Sequence, residues 1–130
     1  NYGVNLKSKY KGKFKNIFII DAIYDKYELD VIRSNCGLYI HSHSMCGTAP
    51  SLVEAMNYKI PIICFDNLTN RETTKSRTKY FYDSTSLIKI LINLDQDNLK
   101  KICLDLYEIG LKYYSWNSVC QDYLKLIKSK

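Results

Sequence analysis

Short apolar runs alternate with amphipathic segments along most of this 130-residue chain. Four of the runs predict β-strands, and they are residues 16–21, 38–41, 61–66 and, more weakly, 78–83. Short, continuously apolar runs of this kind are typical of strands that are buried on both faces of a mostly parallel sheet. Two polar stretches, residues 42–49 and 67–77, predict loops.

Apolar positions at helical spacing lie between the predicted strands and after the last one. Gly37 suits the end of a helix and Pro50 the first position of one. Ser84 or Thr85 suits an N-cap. The predicted helices are residues 25–36, 50–56, 84–94, 96–110 and 117–128. This order predicts an α/β, Rossmann-like fold: a mostly parallel sheet flanked by helices, followed by C-terminal helices, in one domain over residues 1–130.

Loops that follow parallel strands lie at the carboxyl edge of the sheet, where ligands bind in open α/β folds. The sequence places three loops at this edge, at residues 22–24, 42–49 and 67–77. Small and polar residues are concentrated in the second and third of them. This placement predicts a ligand site there without reference to any motif.

Composition and charge add little to this interpretation. Hydrophobic residues make up 46% of the chain and charged residues 25%, which is ordinary for a globular protein. The formal net charge is +6, and five lysines in residues 7–15 supply much of it. These lysines could contact an anionic surface, but the absence of arginine and of paired aromatics there favours a solvated helix and turn over nucleic-acid binding.

The expected location of the chain is the cytoplasm. No apolar run approaches the ~18 residues of a membrane span, and no secretion signal opens the sequence. The cysteines are odd in number, widely spaced and without a C-x-x-C pair, so we expect reduced thiols. They are Cys36, Cys46, Cys64, Cys103 and Cys120.

The segment MCGTAPSLVEAM, residues 45–56, joins a loop of small residues to a short helix. Small residues let a ligand approach the backbone, and the positive end of a helix dipole favours phosphate. Glu54 lies about one turn into the helix, from where a carboxylate could accept two hydrogen bonds from a ribose diol. The alternative, a solvated helix carboxylate, remains open on spacing alone.

Residues 47–72, GTAPSLVEAMNYKIPIICFDNLTNRE, resemble the C-terminal, donor-binding domain of retaining glycosyltransferases of the GT-B fold, in the large family 4 group. The shared pattern is a Gly-containing loop, a short helix with Glu54, a Pro-led strand, an Asp, a loop and Glu72. The tail YYSWNSVCQDYLKLI is similar to the family's closing Ser-Trp segment. YIHSHSMCGTAPSLVEAM looks closest to the rhamnosyltransferase-like branch.

The resemblance implies a role for each residue of the candidate site. Glu54 would bind the ribose of a nucleotide-sugar donor. The residues that would hold its diphosphate are Gly47, Thr48, Ala49, Pro50 and Ser51. The residues that would line the donor pocket are His41, His43, Ser44, Cys46, Asn67 and Glu72. No metal or other cofactor is expected, and no catalytic residue is identified.

Three departures from the family pattern qualify this assignment. Cys46 stands where the family usually has an acid that contacts the sugar. Leu68 and Thr69 replace the usual Gly-Gly, so the third loop should have a different shape. The family's Arg and Lys that clamp the diphosphate have no match in the chain.

The family's strand order implies that the chain lacks the first strands of the full domain and the N-terminal acceptor domain. We therefore expect a partial donor-binding domain with no transferase activity of its own. Either it is a piece of a longer polypeptide, or its sheet closes differently, or a partner supplies the missing strands. Open sheet edges could then lead to self-association.

The function that the resemblance implies is transfer of a hexose or deoxyhexose from a nucleotide-sugar to a glycan or lipid-linked glycan acceptor, in surface polysaccharide synthesis. Peripheral association with the inner face of the cell membrane is left open. Two alternatives share the fold: a non-catalytic nucleotide-binding or interaction module, and a GT-B nucleotide-sugar epimerase. The Ser-Trp tail favours the transferase over the epimerase, and the missing clamp keeps the non-catalytic module open.

Other interpretations of the chemically active residues are weaker. His41 and His43 could bind a metal with Cys46 or Asp66, but no further spacing matches a known ligand set. Cys46 as a nucleophile lacks an evident base. Tyr80, Phe81 and Tyr82 more simply form a strand with Phe81 facing inward and the tyrosines on the other face. Trp116 is predicted to anchor the terminal helices in the core.

Overall fold

The computed structural model describes residues 2–129, and it shows an α/β fold. Its strands are β1 (Tyr39–His41), β2 (Ile62–Phe65) and β3 (Lys79–Phe81). Its helices are α1 (Tyr2–Tyr10), α2 (Lys26–Ser34), α3 (Pro50–Met56), α4 (Leu68–Thr73), α5 (Ser84–Ile92), α6 (Gln96–Tyr114) and α7 (Trp116–Lys128).

The three strands form a parallel sheet in the order β1-β2-β3. His41 pairs with Cys64, and Cys64 pairs with Tyr80, so these side chains lie on one face of the sheet. The predicted fold class is confirmed: a parallel sheet is flanked by helices and followed by C-terminal helices, which is compatible with a Rossmann-like fragment.

The chain divides into two compact units, residues 1–31 and residues 32–130. In the first unit, α1 is followed by a turn, as predicted for the lysine-rich segment, and Lys7 forms an ion pair with Asp21. The prediction of a strand at residues 16–21 is wrong, because that run has no regular structure. Phe18 is 80% exposed, and within the described residues no strand pairs with the run. An apolar run forms a strand only where a neighbour completes its ladder.

The core of the second unit lies between the sheet and two helices. Leu52 and Met56 of α3 and Leu106 of α6 are 0% exposed, and they pack with Ile62 and Cys64 of β2.

Gly110 lets α6 approach α3 closely. A Cβ atom at this position would lie 3.3 Å from the Cβ of Met56 and 3.4 Å from the Oδ1 of Asn57. A larger side chain would therefore push the two helices apart, and the position of α3 depends on this contact.

Two predicted boundaries are wrong for reasons of local capping. Residues 67–77 are not a simple loop, because Asn67 accepts a hydrogen bond from the amide of Asn70 and starts α4. The N-cap of α5 is Asp83, and not Ser84 or Thr85. The carboxylate of Asp83 accepts from the amide of Ser86, whose hydroxyl accepts from the amide of Asp83, which completes a capping box.

One of the predictions for aromatic residues is wrong and the others are confirmed. Trp116 does not anchor the core, because it starts α7 and is 85% exposed. The first residue of a helix that begins at the surface need not point towards the core. Phe81 is buried against Phe65, as predicted, with the ring centroids 5.6 Å apart. Tyr80 is half-buried against the core on the other face, and Tyr82 is exposed.

Leu52→Ala should destabilise the protein by about 2–5 kcal/mol, because it leaves a cavity between α3, α6 and the sheet. Leu104→Ala on α6 is the matched control, since Leu104 is 58% exposed and its truncation removes little buried surface. Urea unfolding of both variants measures the difference. Equal free energies of unfolding would contradict the assignment of the core.

Candidate functional site

The candidate site lies at the carboxyl edge of the sheet, where β1 and β2 end at His41 and Phe65. Because the two strands are parallel and adjacent, the β1–α3 loop (residues 42–49) and the start of α4 leave the sheet at the same edge. Most residues of the predicted site lie on these two segments.

Two asparagines join these segments. The Nδ2 of Asn67 lies 3.1 Å from the carbonyl oxygens of both His43 and Ser44. The Nδ2 of Asn70 donates to the carbonyl oxygens of His43, at 3.1 Å, and of Phe65, at 2.9 Å. The β1–α3 loop is therefore held to the end of β2 by side-chain amides. Asn67 was predicted to line a pocket, whereas the structure also gives it this bracing role.

Sequence reasoning missed Asn70 as a site residue. Its side chain is 0% exposed, and both Nδ2 bonds to carbonyls fix the orientation of its amide. Buried amides of this kind order the backbone that they bind. The available signal was an asparagine three residues after a residue type that caps helices, and this pattern is too common to identify Asn70.

The first turn of α3 offers fewer amides than predicted. Its N-cap, Ala49, has no side-chain cap bond, Pro50 has no N–H, and the amides of Leu52 and Val53 already donate to the carbonyl of Ala49. A diphosphate cradle must therefore use the amides of Gly47, Thr48, Ala49 and Ser51. Pro50 has no amide hydrogen to donate, so it could affect a bound diphosphate only by shaping the loop. Gly47 and Thr48 are exposed, and the methyl of Ala49 is buried in the core.

Glu54 is paired with a basic residue that sequence reasoning missed. The Nη2 of Arg33, near the end of α2, lies 2.8 Å from the Oε2 of Glu54. The side chain of Glu54 is 54% exposed and that of Arg33 21%, so this pair contributes about 0–1 kcal/mol to stability. Arg33 is a cation beside the predicted ribose ligand. No sequence spacing could reveal the contact, because 21 residues separate the two positions.

The carboxylate of Asp66 is held by Arg71. The guanidinium donates to both carboxylate oxygens, at 2.6 and 2.8 Å, and these hydrogen bonds lower the pKa of Asp66. Arg71 also lies over the ring of Tyr80, 4.3 Å from its centroid. Glu72 is the next residue of α4, and its exposed carboxylate lies 3.9 Å from the ammonium of Lys75. The structure does not give Glu72 a place among the bonds that join the two segments.

His41, His43 and Cys46 come together at the end of β1. One ring nitrogen of each histidine and the Sγ of Cys46 lie within 4.8 Å of one another, and the two rings are 4.7 Å apart between centroids. Burial and the neighbouring His43 lower the pKa of His41 to about 4, so this imidazole is neutral at pH 7. Ser44 is exposed.

The thiol of Cys64 stays protonated beneath this cluster. Burial, together with the nearby Cys46, raises the pKa of Cys64 to about 12. Among the described residues all five cysteines are free, which agrees with the expected reduced thiols.

Comparisons with protein-family models, with curated proteins and with solved structures give no match to this chain. Within the part of the chain that the structure describes, no helix has the length and apolar character needed to cross a bilayer.

Asn70→Ala should destabilise the protein by about 1–3 kcal/mol and loosen the β1–α3 loop, because the carbonyls of Phe65 and His43 lose the donor that links them. Hydrogen exchange of residues 42–49 should accelerate more than the global loss of stability explains. The matched control is Asn98→Ala, which removes an exposed side-chain bond to Asp95. Unchanged exchange in the loop of the Asn70 variant would contradict the bracing role.

Proposed function

We propose that this chain is the donor-binding part of a nucleotide-sugar-dependent glycosyltransferase, which transfers a hexose or deoxyhexose to a glycan acceptor in surface polysaccharide synthesis. The observation that supports it is the joining of two segments at the carboxyl edge of a parallel sheet by Asn67 and Asn70. That edge is where open α/β folds bind nucleotides, and the residues there follow the family pattern described above.

The donor would lie along the β1–α3 loop and α3. The amides of Gly47, Thr48, Ala49 and Ser51 would face the diphosphate, and Glu54 would accept hydrogen bonds from the ribose hydroxyls. Because Oε2 of Glu54 already pairs with Arg33, ribose binding would use the other carboxylate oxygen or share the first. His41, His43, Ser44 and Asn67 would border the sugar.

Arg33 offers a cation that the sequence analysis lacked. During transfer, the bond between the sugar C1 and the diphosphate oxygen breaks, a bond forms from C1 to the oxygen of an acceptor hydroxyl, and the proton of that hydroxyl passes to the leaving diphosphate. Negative charge grows on the diphosphate as it leaves, and backbone amides with a nearby guanidinium stabilise that charge. In the proposal, Arg33 is the guanidinium that stabilises the leaving diphosphate. The acceptor would bind to a segment outside residues 1–130.

A second candidate is a nucleotide-binding module without catalysis. Two observations favour it: Cys46 replaces the family's sugar-contacting acid, and Glu54 is engaged by Arg33. Both candidates predict nucleotide binding at the same place, and they differ in whether a donor sugar is turned over when an acceptor domain is supplied.

Glu54→Gln should weaken binding of UDP, GDP or dTDP, whichever binds the chain, by about 1.5–3 kcal/mol. Calorimetric titration of each nucleotide measures this loss. Glu108→Gln is the matched control, because Glu108 is an exposed helical carboxylate on α6. Equal affinities of the Glu54 variant and the native chain would exclude the ribose role, and an equal loss in the Glu108 variant would indicate non-specific charge effects.

Arg33→Ala should weaken binding of the nucleoside diphosphate more than binding of the matching nucleoside, because in the proposal its guanidinium would face the charge of the phosphates. A charged hydrogen bond of this kind contributes about 1.5–3 kcal/mol. Arg77→Ala serves as a control for the loss of one positive charge. The same loss for nucleoside and diphosphate would mean that Arg33 acts only through Glu54.

A further inference from the structure

The cluster of His41, His43 and Cys46 has the composition and spacing of a metal-ligand set. His41 and His43 are alternate residues where β1 ends, so their side chains share a face, and the loop then returns Cys46 to them. The three ligand atoms lie within 4.8 Å of one another without an ion. Imidazole nitrogen and thiolate sulfur are the ligands that zinc prefers in proteins.

A second observation points to a missing partner at this cluster. Among residues 2–129, the buried side-chain polar atoms without a hydrogen-bond partner are the Nε2 of His41 and the Oδ1 of Asn70. His41 is 1% exposed, and a buried polar atom without a partner loses the hydrogen bond that it would make to water. Both residues contact His43, through the two rings and through its carbonyl. The orphaned atoms therefore belong to one neighbourhood.

The hydroxyl of Tyr39 determines which nitrogen of His41 is available. It lies 3.3 Å from Nδ1, and if Nδ1–H donates to this oxygen, Nε2 carries a bare lone pair. Metal-bound histidines commonly donate their other ring N–H to an oxygen in this way. Tyr39 is thus placed as the outer partner that fixes the tautomer of His41.

We propose that the His41 Nε2, a ring nitrogen of His43 and the thiolate of Cys46 bind one Zn²⁺ ion, with a fourth position open to water. Zinc ligands lie about 2.0–2.3 Å from the metal, so the cluster must contract when the ion binds. His41 is buried at the end of β1, whereas the side chains of His43, which is exposed, and Cys46, which is half-exposed, have room to rotate towards the ion. The thiol of Cys46 gives up its proton to solvent on binding.

This inference departs from the expectation that the chain holds no metal, and it gives Cys46 a role. Asp66, the other ligand considered from the sequence, is not part of the site, because Arg71 engages both of its oxygens. The zinc site does not depend on the proposed glycosyltransferase function, since none of its ligands needs a nucleotide to be present.

Titration of the reduced, metal-free 130-residue chain with Co²⁺ tests the site. We expect one Co²⁺ per chain, a thiolate-to-cobalt charge-transfer band, and displacement of the cobalt by Zn²⁺. Cys46→Ser should abolish the band, while Cys120→Ser, which removes an exposed thiol of α7, should leave it unchanged. His43→Ala should weaken binding by more than about 100-fold, because loss of an outer partner alone costs about 10–100-fold.

Tyr39→Phe separates a positioned site from a chance cluster. It should weaken Co²⁺ binding by about 10–100-fold while the thiolate band remains at saturation. Circular dichroism of each variant confirms that the chain is folded. The proposal is overturned if the native chain shows no thiolate band, if the band survives Cys46→Ser, or if Cu(I) binds and Zn²⁺ does not. Nucleotide titrations are read separately, so either proposal can fail while the other stands.

Discussion

The side-chain amide of Asn70 connects the carbonyls at the ends of two neighbouring strand segments, and the geometry of the site depends on it. One amide group donates to Phe65, at the end of β2, and to His43, two residues after β1. Without Asn70, the carbonyl of His43 would keep only the bond from Asn67, and the loop would no longer be linked through this amide to the end of β2. With both bonds made, the backbone of His43 has a defined place, and the side chains that follow it are directed at the same edge of the sheet.

The packing of α3 against α6 provides the second constraint. Because residue 110 is glycine, α6 approaches Met56 closely, and α3 is fixed by its buried side chains Leu52 and Met56. A helix of seven residues has little stability of its own, so its orientation comes from this packing. With the apolar face of α3 buried, Glu54 lies on the opposite face and pairs with Arg33. The electrostatics of the candidate site therefore follow from apolar contacts on the other side of the helix.

The sheet could be predicted from the sequence, whereas the contacts of the site could not. Residues 39–41 and 62–65 form strands within short apolar runs, as expected, because such runs are the sequence signature of parallel strands. Residues 16–21 show the limit of that signal, since the same kind of run without a pairing strand stays irregular. The sequence predicted that His43 and Cys46 lie in the loop after β1. It could not predict the pairing of Arg33 with Glu54, which the fold alone brings together.

The two proposals place different chemistry on one continuous segment, residues 41–54. Its first part offers nitrogen and sulfur ligands to a cation, and its second part offers amides and a carboxylate to a nucleotide. A Zn²⁺ ion bound to two neutral imidazoles and one thiolate carries a net charge of about +1, which the short loop would bring towards any bound diphosphate. If both proposals hold, the ion would supply positive charge near the diphosphate, and Cys46 would hold a cation at a position where the family that the sequence resembles usually has an acid. The two proposals would then place a cation and an anionic ligand on neighbouring parts of one segment, although neither proposal requires the other.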